Sequence, residues 1–142
     1  MADAPLRLSF TLDGPPRTKK NHGRRIWRKN KKTGKKQPYH VPSLAHDLWF
    51  EKASWQMRQI IAAASWRALD VGVHVKALFF REANVGDQNG YTQALGDLLE
   101  RAGVIKNDRL IVSWDGTRLL KDAERPRIEV IVEPMPGERD GA

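Results

Sequence analysis

Asp87 and Asp108 are the side chains in this sequence whose placement most suggests chemistry. Between them the chain runs GDQNGYTQALGDLLERAGVIKND, from Gly86 to Asp108. Asp87 opens an amide-rich turn with Gln88 and Asn89, and Asp108 stands just ahead of a β-rich run. Two carboxylates with an amide oxygen nearby suit a hard divalent cation. Mg²⁺ prefers oxygen ligands: one or two carboxylates, waters and a substrate phosphate. Such a cation deprotonates an attacking water and stabilises charge on a leaving oxygen, which are the two demands of phosphodiester hydrolysis. Gln93 falls one helical turn beyond Asn89, on the same side of a helix.

Each of these residues also has a structural reading. Asp87 is placed to cap a helix N-terminus. Asp108 is placed to close a Lys106-Asn107-Asp108 turn. Asp97 reads as a solvated helix residue, and Asp115-Gly116 as a turn. His22, His40, His46 and His74 show no metal-ligand spacing. Cys is absent, which excludes disulfides, a thiolate nucleophile and Cys-ligated zinc.

The elements that must position the two acidic ends follow from hydrophobic period. Tyr91, Ala94, Leu95, Leu98, Leu99 and Ala102 recur at spacings of three and four, which predicts a helix with one buried face ending at Gly103. Val71, Val73, Val75, Ala77 and Phe79 alternate ahead of it, with Leu78 and Phe80 making the other face partly apolar, as in a central strand. Leu110 to Trp114 reads as a short strand and Ile128 to Glu133 as a closing one. If the strands flanking the helix are neighbours, the two carboxylates are expected to converge. Upstream, Leu6, Leu8, Phe10 and Leu12 alternate as a first strand, stopped by Gly14-Pro15-Pro16. A long helix starts near Pro42-Ser43, with Ser43 as N-cap. Its stripe is Ala45, Trp49, Ala53, Met57, Ile60, Ile61 and Ala64.

The expected fold is a single α+β domain over residues 1–133: a mixed β-sheet with two main helices packed on it, and a basic β-hairpin arm at 17–41. The tail from 134 to 142 is rich in Pro, Gly and charge and is expected to be disordered. A chain of 142 residues suits one core and is too short for two ordinary domains.

Charge is distributed unevenly. The formal net charge is +8, which favours a polyanionic partner. Eleven basic residues crowd into one segment with no Asp or Glu among them: Arg17, Lys19, Lys20, Arg24, Arg25, Arg28, Lys29, Lys31, Lys32, Lys35 and Lys36. The rest of the chain is net acidic. Lys32-Thr33-Gly34-Lys35 marks a turn between two strands of a hairpin that carries Trp27 and Tyr39. Those aromatics either stack on bases or sugars or anchor the hairpin to the core. No apolar run is long enough to span a bilayer, and the N-terminus lacks a signal peptide. The expectation is a soluble intracellular domain that meets nucleic acid.

Two segments together carry a resemblance. Gly14-Pro15-Pro16-Arg17-Thr18-Lys19-Lys20-Asn21 resembles the proline-then-basic opening of the RusA-like Holliday junction resolvases. The run from Asp87 through Ala94, Asp97, Leu98 and Ala102-Gly103 to Asp108 is similar to that family's signature helix and its acidic ends. The resemblance covers nearly the whole of the chain expected to be ordered, from the first strand to the closing one. It implies a Mg²⁺-dependent or Mn²⁺-dependent endodeoxyribonuclease, acting as a homodimer that nicks four-way DNA junctions symmetrically. It also implies a cytoplasmic setting in a bacterial or phage-infected cell, and no membrane. By position, Asp87 matches the first catalytic aspartate and Asp108 the last. Asn89 stands where the family's best-known form has a second aspartate, and Gln93 where it has a lysine. Asp87, Asn89 and Asp108 are therefore the expected metal ligands, with Gln93 beside them. Asp97 or Asp115 is a candidate for the missing carboxylate. Arg17, Lys19, Lys20, Arg24, Arg25 and Arg28 are expected to grip phosphates, with Lys121 as a further cation. A catalytically weakened protein that binds branched DNA is the alternative reading.

Overall fold

Alternation of apolar residues builds the main sheet. The computed structural model describes residues 6–18, 24–41, 44–84 and 86–136. In chain order the elements are β1 (Leu8–Asp13), β2 (Arg24–Lys29), β3 (Lys36–Val41), α1 (Leu44–Ala64), β4 (Val73–Arg81), α2 (Gln88–Ala102), a 3-10 turn (Asp108–Leu110), β5 (Ile111–Ser113), β6 (Arg118–Lys121) and β7 (Arg127–Pro134). Leu8, Phe10 and Leu12 point inward from β1, Val73, Val75, Ala77 and Phe79 from β4, and Ile128, Val130 and Val132 from β7. Period-two burial on all three strands gives one apolar face. Trp49, Ala53 and Met57 of α1 and Leu95, Leu98 and Leu99 of α2 complete the core on that face. The opposite face is open, with Ser9, Thr11, Lys76 and Glu129 lining a shallow depression of about 300 Å³.

β4 is central, as its two-faced apolar pattern implies. It pairs antiparallel with β7, which in turn pairs antiparallel with β1. On its other side it pairs in parallel with β5 near its start (Val73 with Ile111) and with β6 near its end (Leu78 with Arg118). The domain is thus α+β with a mixed sheet and two helices on one face. β6 was not anticipated: Arg-Leu-Leu-Lys has no alternation, and only its pairing with β4 makes it a strand.

The remaining departures are small. In α1, His46 takes the inner position and Ala45 is exposed, so the stripe's first residue is out of phase. The hairpin forms a separate two-stranded sheet. Its turn falls at Lys31–Thr33, with Gly34 in the left-handed region at φ 73°. The expected cap at Ser43 lies outside the described residues. Of the tail expected to be disordered from 134, Pro134 instead closes β7 and the Met135 N–H donates to the Gly72 carbonyl, while 137–142 lie outside the described residues. No helix among the described residues is long and apolar enough to cross a membrane.

Candidate functional site

The loop at the carboxyl end of β4 is where the acidic turn and the proline-basic segment meet. Asp87 caps α2 with extended backbone, its Oδ1 accepting from the Gly90 N–H at 2.8 Å. That satisfies one of the four N–H groups a helix start leaves unpaired. At the far end Gly103 adopts φ 85° and its N–H bonds back to the last turn, the left-handed terminator expected of glycine there. Between them Tyr91, Ala94, Leu95, Leu98 and Leu99 are buried.

Gly90 has a second role. A Cβ on it would stand 3.1 Å from Cγ2 of Thr18 and 3.0 Å from Oδ1 of Asp87. The Pro15-Pro16-Arg17-Thr18 segment therefore lies directly against the first turn of α2, about seventy residues away in sequence. Arg17 pairs with Glu82 at 2.6 Å, just past the end of β4. The Thr18 hydroxyl is buried without a hydrogen-bond partner among the described residues.

Cations gather at the same end. Arg81 donates to the Gly86 carbonyl at 3.3 Å and to Asn84 Oδ1 at 3.4 Å, and its guanidinium lies 5.9 Å from the centre of the Tyr91 ring. Burial raises the Tyr91 phenol above its ordinary value, and the Arg81 charge partly offsets this. Lys121 is the register partner of Arg81 across the β4–β6 pair and is exposed. Arg17, Arg81 and Lys121 thus lie at the same end of β4 as the acidic turn and the positive end of α2. Neither Arg81 nor Glu82 was singled out from the sequence. The available signal was Gly90, a glycine in a helix's first turn, which marks a close approach.

Asp108 sits elsewhere along the same helix. Its Cβ lies 3.9 Å from where a Cβ on Gly96 would stand. It shares a shallow recess with Thr92, Gln93, Gly96, Ile111 and Trp114, which Asp87 and Asn89 do not line. Gly96 is nine residues beyond Asp87, so Asp87 and Asp108 are offset by roughly 13 Å along the helix axis. The expected convergence at one end fails for a topological reason. β4 and β5 are neighbours, but parallel, so the crossover must carry the chain back along the sheet before β5 begins. Gln93 and Asp108 are brought together, and Asn89 lies one turn along α2 from Gln93. Asn107 caps the 3-10 turn through the Arg109 N–H, a role the sequence suggested for Asp108. The Asp108 N–H instead donates to Glu100 Oε1.

No protein-family model matches the chain, and no curated protein matches it.

The other expected residues are spread more widely. Asp97 pairs with Arg101 at 3.4 Å on α2, and Asp115 lies in the exposed turn before β6. Arg28 is exposed on β2. Arg24 and Arg25 lie on β2, their side chains outside the described set, and Lys19 and Lys20 are outside the described residues altogether. Among the described residues no group of three His, Cys, Asp or Glu side chains is placed to hold a metal ion. The donors present are hard oxygens, and both carboxylates are exposed. They fit a largely hydrated cation held by one or two protein oxygens, the usual manner of Mg²⁺, and do not form a closed cage.

Proposed function

We propose that this protein is a metal-dependent endonuclease for branched DNA, cutting four-way junctions as a two-fold homodimer in the cytoplasm. One observation carries the reading: Thr18 packs on Gly90, so the two segments that resemble the RusA-like resolvases meet at one end of β4. Asp87 with Asn89 at the start of α2, or Asp108 with Gln93 further along it, would offer the one or two oxygens that a hydrated Mg²⁺ or Mn²⁺ takes from a protein. When bound, the ion supplies activation of water and stabilisation of the leaving oxygen. The chain's own part is to bind and orient the backbone. Arg17, Arg81 and Lys121, with the N-terminus of α2, attract phosphate, and the basic hairpin extends the positive surface. Contacts of this kind position a protein on DNA without reading sequence, so selectivity rests on junction shape. A four-way junction offers two equivalent strands, which a two-fold dimer meets with equivalent sites.

The axial offset between Asp87 and Asp108, with Asn89 and Gln93 carrying no charge, favours a second reading: a branched-DNA-binding protein with weakened catalysis. A labelled four-way junction and a linear duplex, each with Mg²⁺, Mn²⁺ or EDTA, separate the two. Asp87→Asn is the informative variant, because asparagine caps a helix as well as aspartate while removing the charge. Metal-dependent cutting of the junction, lost in Asp87→Asn with Tm unchanged, supports the enzyme. Cutting by Asp87→Asn at the wild-type rate sinks the metal assignment. Tight junction binding with no cutting under either metal supports the second reading.

A further inference from the structure

The hairpin carries an exposed aromatic that the site at β4 does not use. Trp27 lies in the middle of β2 with 64% of its surface exposed, among cations on both strands. A tryptophan anchoring the arm to the core would be covered, so exposure decides between the two readings of this ring. Its register partner is Pro38, and two residues further along the ladder Lys29 stands directly opposite Lys36. Like charges directly opposite destabilise a strand pair, and an isolated hairpin is marginal to begin with. Even so, the turn is tightly built. Asn30 Oδ1 accepts from the N–H groups of Lys32 and Thr33, Asn30 Nδ2 donates to Gln37 Oε1 at 3.0 Å, and the Asn30 carbonyl accepts from the Gly34 N–H at 2.7 Å. The arm is therefore a shaped display of Trp27, Arg28, Lys29, Lys31, Lys32, Lys35 and Lys36.

We infer that this arm is a second DNA contact that selects branched DNA: Trp27 stacks on a base face uncovered where stacking breaks at the branch point while the surrounding lysines hold the flanking phosphates. Every base presents a π-face, so such stacking is indifferent to sequence but needs a face that the continuous stack of a duplex does not cover. The lysines attract any DNA backbone; the ring accepts only an uncovered base face. This rests on the reading of the protein as one that acts on branched DNA, and it assigns the choice of branch over duplex to a residue outside the acidic turn.

The test uses the full chain in EDTA, so that binding is read without cutting. The probes are a four-way junction, a linear duplex of the same arm sequence, and single-stranded DNA and RNA of that sequence. Stacking contributes about 1–3 kcal/mol per base, so Trp27→Ala should weaken junction and single-stranded DNA binding by about 5-fold to 150-fold, with duplex binding changed less than about 2-fold. Trp27→Phe, which keeps a ring, should recover most of the loss. Lys29→Gln with Lys36→Gln should weaken all DNA probes together and flatten the salt dependence by about 1.8 in log–log slope on the junction and duplex and by about 1.4 on the single strand. Equal loss on duplex and junction, or no loss on either, overturns the assignment of Trp27. Wild-type binding to single-stranded RNA as tight as to single-stranded DNA overturns the choice of DNA. A wild-type protein that shows no preference for the junction over the duplex defeats the underlying function instead. A wild-type preference that survives in Trp27→Ala defeats only this inference.

Discussion

The β4–α2–β5 crossover and the β2–β3 hairpin use the same local chemistry to opposite ends. In each, one side-chain oxygen organises a chain reversal: Asp87 Oδ1 holds the Gly90 N–H, and Asn30 Oδ1 holds the N–H groups of Lys32 and Thr33. Beyond that they diverge. The crossover buries Tyr91, Ala94, Leu95, Leu98 and Leu99 and joins the single core. The hairpin forms a sheet of its own and shows Trp27 to solvent. A turn welded to buried apolar surface is coupled to global stability. A turn standing apart contributes only to its own shape. The first kind of region fixes where acidic groups sit; the second leaves its cations exposed to solvent.

The largest effect should come from breaking the core of the crossover. Leu98 is fully buried, so Leu98→Ala loses its transfer energy and leaves a cavity, at a cost of about 2–5 kcal/mol. Chemical denaturation should show a lowered midpoint with an unchanged slope. No single substitution in the turn of the hairpin should approach this. If one did, the hairpin would be part of the cooperative unit and the contrast would fail.

How much of this was legible in the sequence depends on how local each cause is. The α2 stripe, its Asp87 start and its Gly103 stop are set within one helix length, and all appear as read. The inner phase of β1, β4 and β7 is equally local, because alternation alone assigns each residue to a face. What was not legible is pairing. Nothing in Arg118–Lys121 reveals that β6 lies beside β4, or that β5 runs parallel to it. That direction is what parts Asp87 from Asp108, and it was invisible in two acidic residues flanking a helix. The Arg17–Glu82 pair and the cover that Thr18 gives Gly90 are likewise products of tertiary placement. In α1 the stripe slipped by one residue at its start, where His46 rather than Ala45 turns inward.

A middling effect is expected at the cap. Asp87→Ala removes the acceptor for the Gly90 N–H and should cost about 1 kcal/mol of global stability. Asp87→Asn should cost almost nothing, since the amide oxygen still accepts. Comparing their denaturation midpoints separates the structural role of this residue from any role of its charge. If Asn destabilised as much as Ala, the carboxylate's charge at the helix start would outweigh its hydrogen bond.

The smallest global effect is expected from the matching deletion in the hairpin. Asn30→Ala removes the acceptor for Lys32 and Thr33 and the donor to Gln37, which is more bonding than Asp87→Ala removes. In the crossover a smaller loss should register across the whole domain; here the loss should stay local. The denaturation midpoint should move by no more than about 0.5 kcal/mol, as for other surface changes. Hydrogen exchange should accelerate at the amides of Lys32, Thr33, Gly34 and Lys35 and leave β4 and α2 as slow as before. Because the arm would then present Trp27 and its lysines less rigidly, junction affinity should fall while the core stays intact. Slowed or unchanged exchange in the turn would mean that the strands, and not Asn30, hold the arm in shape.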